Sequence, residues 1–387
     1  MLKEYLTSIA DSIRAKLGTS EKINAQDYAD KISEVYDAGY AKGAEENSGG
    51  GAELARSIVD GTITEYVDDE ITTIGAYAWY NSTTLTSVNT PNVKTVKTYA
   101  FYNCKTLVNI PWLSGVEKIE NNAFYNCSGI AGVITLDNIS SVGAYAFYGC
   151  TGITDVIFSP TYRGAFGSYA FQNCSNLVSI QVLQASQLPN YALKGCKKLK
   201  TIDMPEIWAI NEYALNDCTS LEEIDFPLVE TVYGSAFYNC SNVSYVNLPK
   251  LATISGTYAF RGMTALTSIT LPMLTTTGNY TFYGCTALTL ADLPMITAIS
   301  ANMFYNCTNL NALILRKTDT ICTLSATNAF TSTPIKSGGT GYIYVPSALI
   351  NTYKSATNWS TYAAQFRALE DYTVDGTITG ELDESKI

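Results

Sequence analysis

Tyr99-Ala100-Phe101-Tyr102-Asn103-Cys104, with Leu107 and Ile110 just behind it, is the stretch that decides the fold, because it recurs along most of the chain. Clean copies run from Tyr145 to Cys150, with Gly149 in place of Asn, and from Ala236 to Cys240. The large apolar position of the block falls at Trp79, Phe101, Phe124, Phe147, Phe171, Leu193, Leu215, Phe237, Phe260, Phe282, Phe304 and Phe330. Successive spacings are 22, 23, 23, 24, 22, 22, 22, 23, 22, 22 and 26 residues, so there are twelve units and the last is stretched. A fixed period of this length is the mark of a solenoid, in which each unit can bury its apolar side only against its neighbours.

Behind each block comes x-x-Leu-x-x-Ile, often with a further Leu-Pro: Leu221, Ile224, Phe226 and Pro227; Val243, Val246, Leu248 and Pro249; Leu266, Ile269, Leu271 and Pro272. The step of two between the last apolar pair predicts a short strand with one face buried. Proline then ends the strand, since it has no N–H to give to the next rung. The Ala-Phe-Tyr-Asn-Cys block lacks that alternation and predicts a tight helical turn on the opposite side.

Nine of the ten cysteines share one repeat position: Cys104, Cys127, Cys150, Cys174, Cys196, Cys218, Cys240, Cys285 and Cys307. Ser82 and Met263 hold the same position in two further units. Alternation of Cys, Ser and Met describes a small buried slot, not a bond-forming pair. Strands about 4.8 Å apart would bring neighbouring thiols within Cα reach of a disulfide, but ladder side chains point parallel to one another. The chain has no Cys-x-x-Cys and no histidine, which also argues against zinc. Buried free thiols are therefore expected, with Cys322, outside the register, left open.

The unit resembles the BspA-like family of bacterial leucine-rich repeats, whose hallmark is Ala-Phe-x-x-Cys followed by Leu-x-x-Ile-x-Leu-Pro. The resemblance covers roughly Ile71 to Phe330. It implies a β-rich leucine-rich-repeat solenoid, a right-handed superhelix of about 12 turns of 22–24 residues. Members of that family are mostly surface proteins of host-associated bacteria, implicated in adhesion to proteins or cells, and share no catalytic residues. The unit differs from the leucine-rich type with a long asparagine ladder, so that type's ligand surfaces are not carried over.

Outside the repeats, Leu2, Leu6, Ile9, Ile13 and Leu17 make one apolar stripe on a helix. A second helical pattern has Asn24 as N-cap and Tyr28, Ile32 and Val35 on one face. Helices this short need a partner in water, whether each other, a second copy or another protein. The segment Ile9 to Gly18, with Ile23 to Ala29, is similar to the N-terminal module of tail-associated proteins in phages and prophages of Firmicutes. The division expected is a helical attachment or oligomerisation module over 1–46, a Gly-rich linker over 47–56, repeats over 57–335, and a C-terminal cap and tail over 336–387. An N-terminal segment that merely caps the first repeats stays open as the alternative. At the far end an open solenoid needs a cap, and a strand at Tyr342 to Pro346 followed by an amphipathic helix carrying Leu349, Ile350, Tyr353, Trp359 and Tyr362 would supply one. Similar terminal caps occur in the same repeat family. The hexapeptide Val374 to Thr379 echoes Val59 to Thr64.

Composition narrows the function. A formal charge of −11 argues against a nucleic-acid backbone and against an anionic leaflet as partner. Residues 2–17 carry Lys3, Glu4, Asp11, Arg14 and Lys16, so no signal peptide is recognisable, and no apolar run is long enough to insert in a membrane. With no histidine, any acid–base chemistry would fall to carboxylates, Lys, Tyr or Cys. Phosphate-loop and dinucleotide motifs are missing as well. No catalytic residue, cofactor or metal is expected. Glu222, Glu223 and Asp225, near Asp203 and Glu206, read as solvated strand-side residues, with a weak cation site as the alternative. Sequons such as Asn81-Ser-Thr and Asn306-Cys-Thr follow from the repeat and imply no glycosylation in a bacterial or phage product.

Tyrosine is the remaining signal. One repeat position carries Tyr77, Tyr99, Tyr145, Tyr169, Tyr191, Tyr213, Tyr258 and Tyr280; another carries Tyr80, Tyr102, Tyr125, Tyr148, Tyr238, Tyr283 and Tyr305. The second row is the candidate ligand contact, because Tyr offers large area at low entropy cost. That a row simply packs along its own stack, like a cross-strand ladder, is the competing reading. Strand positions between the core residues, such as Thr267, Ser268 and Thr270, or Ser244, Tyr245 and Asn247, are the other places a ligand could be read. The expectation is a non-enzymatic recognition or adhesion protein, facing a host protein or glycan from a phage or prophage tail. The N-terminal helices would mediate a homo-oligomer or a virion contact, placing the protein on a virion or extracellular surface. A bacterial cell-surface adhesin, or a structural virion component without ligand, are the alternatives.

Overall fold

The computed structural model describes residues 63–164, 166–374 and 377–378; the N-terminal helical module and the linker expected over 1–56 lie outside them. The chain winds into a parallel β-solenoid of about 14 turns with little helix. That is two more than the twelve blocks, because the ladder starts at Glu65–Val67, ahead of the first block, and continues through Tyr342–Val345 and Phe366–Ala368 beyond the last.

Each turn has three sides. The first is the strand foreseen after the block: Ile224 pairs with Val246 and Leu313 with Ile343, all in parallel register. The second is a shorter strand that the sequence reading missed, with Thr73, Thr95, Lys118 and Ser141 in register and Ile74, Val96, Ile119 and Val142 behind them. Its apolar residue always sits three places after another, as in Val93-x-x-Val96, Val229-x-x-Val232 and Leu251-x-x-Ile254. A two-residue strand between turns leaves too few alternations for a period of two to show. The third side is the block itself, a tight turn that also hydrogen-bonds to the next one: the N–H groups of Trp79, Phe101 and Phe124 donate to the carbonyls of Ala100, Ala123 and Ala146 at 2.7–2.8 Å.

One aromatic column forms the core. Trp79, Phe101, Phe124, Phe147 and Phe171 stack with centroids 5.0–5.4 Å apart. Leu193 and Leu215 interrupt the column, and Phe237, Phe260, Phe282, Phe304 and Phe330 resume it at 5.3–5.8 Å. All twelve positions are fully buried. Both ends are closed by aromatics. Tyr66 lies 5.1 Å from Trp79, while Trp359 and Tyr362 cover Phe330 at 6.1 and 5.2 Å.

The C-terminal cap departs from the single amphipathic helix expected. Helix α1 spans only Ile350–Ser355, and Trp359 and Tyr362 belong to a separate 3-10 turn, Trp359–Gln365. The break begins at Ala356, which is extended (φ −72°, ψ 153°), and Asn358 with positive φ (64°) precedes the second turn. The pieces are pinned through Cys322, whose N–H donates to the Tyr353 hydroxyl (2.8 Å) and whose carbonyl accepts from Trp359 Nε1 (2.7 Å). Further on, Thr373 pairs with Ile378 and Val374 with Thr377 in an antiparallel hairpin.

All ten cysteines are free and buried. Each in-register thiol donates to the carbonyl of the large apolar residue one unit back: Cys104 to Trp79 (2.8 Å), Cys150 to Phe124 (3.0 Å), Cys240 to Leu215 (3.2 Å). The row is a polar ladder inside an apolar core; Ser82, in the first unit, instead accepts from the Leu85 N–H (3.2 Å). We expect thiol reagent to react negligibly with the native protein and with all ten groups in denaturant. Rapid native labelling, or disulfides between adjacent rungs by mass spectrometry, would refute the buried ladder.

Candidate recognition surface

Every block turn ends in left-handed backbone, and all but the last begin in it. At the end of the turn φ is positive at Asn81, Asn103, Asn126, Gly149, Asn173, Gly195, Asp217 and Asn239, residues that tolerate it. Their side chains make a short ladder of their own, Asn126 to Asn103 (3.1 Å) and Asn103 to Asn81 (2.9 Å). At the start, φ lies between 54° and 64° in every unit from Tyr77 to Asn302. Asn122, Ser235 and Asn302 suit that geometry, but the other eight residues there are tyrosines. A bulky residue in this region costs about 1–2 kcal/mol.

The rings stack along the solenoid axis in two columns. The left-handed column runs Tyr77–Tyr99 (5.0 Å), then Tyr145, Tyr169, Tyr191 and Tyr213 at 4.3–4.7 Å, then Tyr258–Tyr280 (4.9 Å). The turn column holds the seven candidate contacts. It brings Tyr80, Tyr102, Tyr125 and Tyr148 together at 4.6–4.9 Å and Tyr283 with Tyr305 at 5.2 Å. Tyr238 stands apart from these groups, beside Tyr258 and Arg261. Tyr80 is buried and the other six are half-buried.

The columns complement each other. Where the turn column has Gln172, Lys194 and Asn216, the left-handed column has Tyr169, Tyr191 and Tyr213, and Lys194 lies over the last two at 5.5 and 5.2 Å. Where the left-handed column has Asn122, Ser235 and Asn302, the turn column has Tyr125, Tyr238 and Tyr305. Every one of the eleven units from Tyr77 to Tyr305 thus carries at least one tyrosine, with a break in ring contact between Tyr213 and Tyr238.

Stacking occupies the ring faces, and the hydroxyls make a ladder of their own: Tyr125 bonds with Tyr148, Tyr145 with Tyr169, and Asn173 Nδ2 donates to the Tyr148 hydroxyl (3.0 Å). Burial and the neighbouring phenols push Tyr125 up to about 12, and burial with the Tyr169 phenol does the same to Tyr145. These hydroxyls stay protonated, hence hydrogen-bond donors, at any ordinary pH. The non-tyrosine members of the turn column, Gln172, Lys194, Asn216 and Arg261, were overlooked in the sequence; the signal was their departure from Tyr at a repeat position.

The strand positions lie on a different face. Ser244, Tyr245, Thr267 and Ser268 are exposed there, while Asn247 is tied to Asp225 (2.8 Å). Glu222, Glu223 and Asp225 are exposed on the same side, and Asp203 accepts from Gln181 Nε2 (2.7 Å). Among the described residues no helix is long and apolar enough to cross a membrane.

The model of a family described as the BspA type leucine rich repeat region matches in six copies, over residues 65–177, 164–255 and 230–340. No curated protein sequence matches the chain. Among solved structures, a leucine rich cell surface protein from Faecalibacterium prausnitzii is 24% identical, covering 66% of this chain and 80% of its own, with a TM-score of 0.41. A leucine-rich repeat protein from Bacteroides ovatus is 22% identical over 66% and 79%, TM-score 0.41. One from Eubacterium ventriosum is 17% identical over 76% and 84%, TM-score 0.42.

Proposed function

The chain belongs to the BspA type leucine rich repeat family, and from that premise we propose that it is a non-enzymatic recognition protein whose tyrosine band contacts a protein or glycan on a host surface. One observation carries the reading. At the left-handed start of the turn, Asn is unstrained and is used twice, yet eight units place Tyr there. Stacking returns about 0.5–1.5 kcal/mol per pair, roughly what the strained backbone costs, so folding alone gains little from the choice. Strain maintained at repeated positions points to use of the side chain. The row of hydroxyls along the solenoid suits an extended, hydrogen-bonding partner.

The setting we propose is a phage or prophage tail, on the resemblance of the N-terminal segment to tail-associated modules; gene neighbourhood separates this from a bacterial surface adhesin. Replacing Tyr102, Tyr125 and Tyr148 together by Ser should abolish attachment to host material. Unchanged far-ultraviolet circular dichroism would show that the solenoid is still folded. Deleting residues 1–50 should leave that attachment intact and remove assembly into a particle or oligomer. Should the triple variant attach as well as the unaltered protein, the band is packing only; should the unaltered protein retain nothing from host extracts, a structural spacer is the correct reading.

A further inference from the structure

The ninth block reads Tyr258-Ala259-Phe260-Arg261-Gly262-Met263, and Arg261 stands in the turn column where most units have tyrosine. Its guanidinium carbon lies 4.9 Å from the centroid of Tyr238, one unit back, and 4.6 Å from that of Tyr283, one unit on. Tyr258 of its own block flanks it at 5.0 Å. A guanidinium held by rings on three sides is a cation–π cluster, which uses its charge without using up its N–H donors. Among the described residues no carboxylate pairs with Arg261, whereas Arg316, in the next ladder segment, is forked onto Asp292 at 2.8 Å. Arg261 is therefore a half-buried cation clamped between phenols.

We propose that Arg261, with Tyr238, Tyr258 and Tyr283, forms a subsite for the single carboxylate of an acidic sugar residue, a deepening that rests on the recognition reading above. A planar carboxylate matches the guanidinium fork, with two parallel N–H···O bonds. The tyrosine hydroxyls on either side supply donors and acceptors for the sugar's own hydroxyls. Clamping between rings limits the rotamer entropy that a free arginine would lose on binding. The choice of one carboxylate over a polyacidic chain follows from the charge of the protein. Its formal charge of −11 repels a polyanion at long range, while a lone carboxylate within a Debye length of about 8 Å is governed by the local cation.

The test uses the full-length protein and ligand-observed nuclear magnetic resonance titrations. The probes are the methyl α-glycoside of N-acetylneuraminic acid, methyl β-glucuronide, methyl β-galactoside as the neutral sugar, and hexaglutamate as the acidic peptide. At least one acidic sugar should bind more tightly than the neutral one. Arg261→Tyr should weaken acidic-sugar binding at least tenfold, and Arg261→Lys by less, with melting unchanged because tyrosine is what most rungs already carry at this position. Binding of neither acidic sugar, equal binding by Arg261→Tyr, or Arg261-dependent binding of hexaglutamate alone would each overturn the proposal. Host attachment that survives Arg261→Tyr but fails in the triple tyrosine variant would sink the subsite and leave the recognition reading standing.

Discussion

Taken from pH 8 to pH 10.5 in the presence of a reductant, the protein should unfold reversibly. The cause is the thiol ladder. Burial pushes Cys174, Cys240 and Cys322 from an ordinary value of 9.0 up to about 12. It also raises Cys127, Cys150, Cys196, Cys218 and Cys307 well above that value, with the neighbouring thiols of the row adding to the shift. A thiol with a higher pKa in the folded chain holds its proton more tightly when folded. Stability is therefore whole below pH 9, where both states are protonated, and drains away as pH rises toward the folded-state value. At pH 10 each of the three thiols held at about 12 favours the unfolded chain by roughly 1–2 kcal/mol. Those three alone sum to several kcal/mol, a large part of the stability of a typical domain, and the other five act in the same direction. Circular dichroism followed against pH should show one transition, and Cys174→Ser with Cys240→Ser should move it upward. An unchanged spectrum and melting temperature at pH 10.5 would contradict the burial of the row.

The second large effect is expected at the centre of the aromatic column. Phe237 stacks on Phe260 at 5.3 Å and is fully buried. Removing its ring leaves a void that Leu215 on one side and Phe260 on the other cannot fill without breaking register with their own neighbours. Phe237→Ala should therefore cost about 3–5 kcal/mol, the usual range for an aromatic truncation in a core. Each unit is stabilised by the interfaces on both sides, so the loss should be shared along the stack and not confined to one turn. Urea denaturation should show a single transition at lower midpoint. An unaltered curve would mean that the block position is not core at all.

The core was readable from the sequence because packing leaves it little choice. Phe, Cys, Leu and Ile recur at fixed offsets, and the solenoid follows from that recurrence. The second strand was not readable, since Thr95-Val96 or Lys118-Ile119 is too short to show a period. The backbone behind the tyrosine rows was half visible: Asn103, Asn126 and Gly149 are residues that accept positive φ, but Tyr99 and Tyr145 are not, and composition gives no warning of them. Nor could a row-by-row reading show that the two tyrosine columns fill each other's gaps. That relation exists only when Asn122 and Tyr125, or Lys194 and Tyr191, are placed on one rung. Arg261 escaped notice for the same reason, since it reads as a lapse in the repeat until Tyr238 and Tyr283 close over it.

The direction of the ladders has a mechanical consequence. Their hydrogen bonds run along the solenoid axis, so a pull between the two ends loads the turns in series, and the terminal turns, with one neighbour each, give way first. Each 22-residue turn that peels off releases roughly 75 Å of chain, many times its folded height, while the remaining stack is left intact. Tyr66 over Trp79 at one end, and Trp359 with Tyr362 over Phe330 at the other, are then the latches that set the force at which yielding begins. A protein anchored at one terminus and held by its flank to a moving surface would behave as a shock absorber, extending turn by turn before its grip is lost.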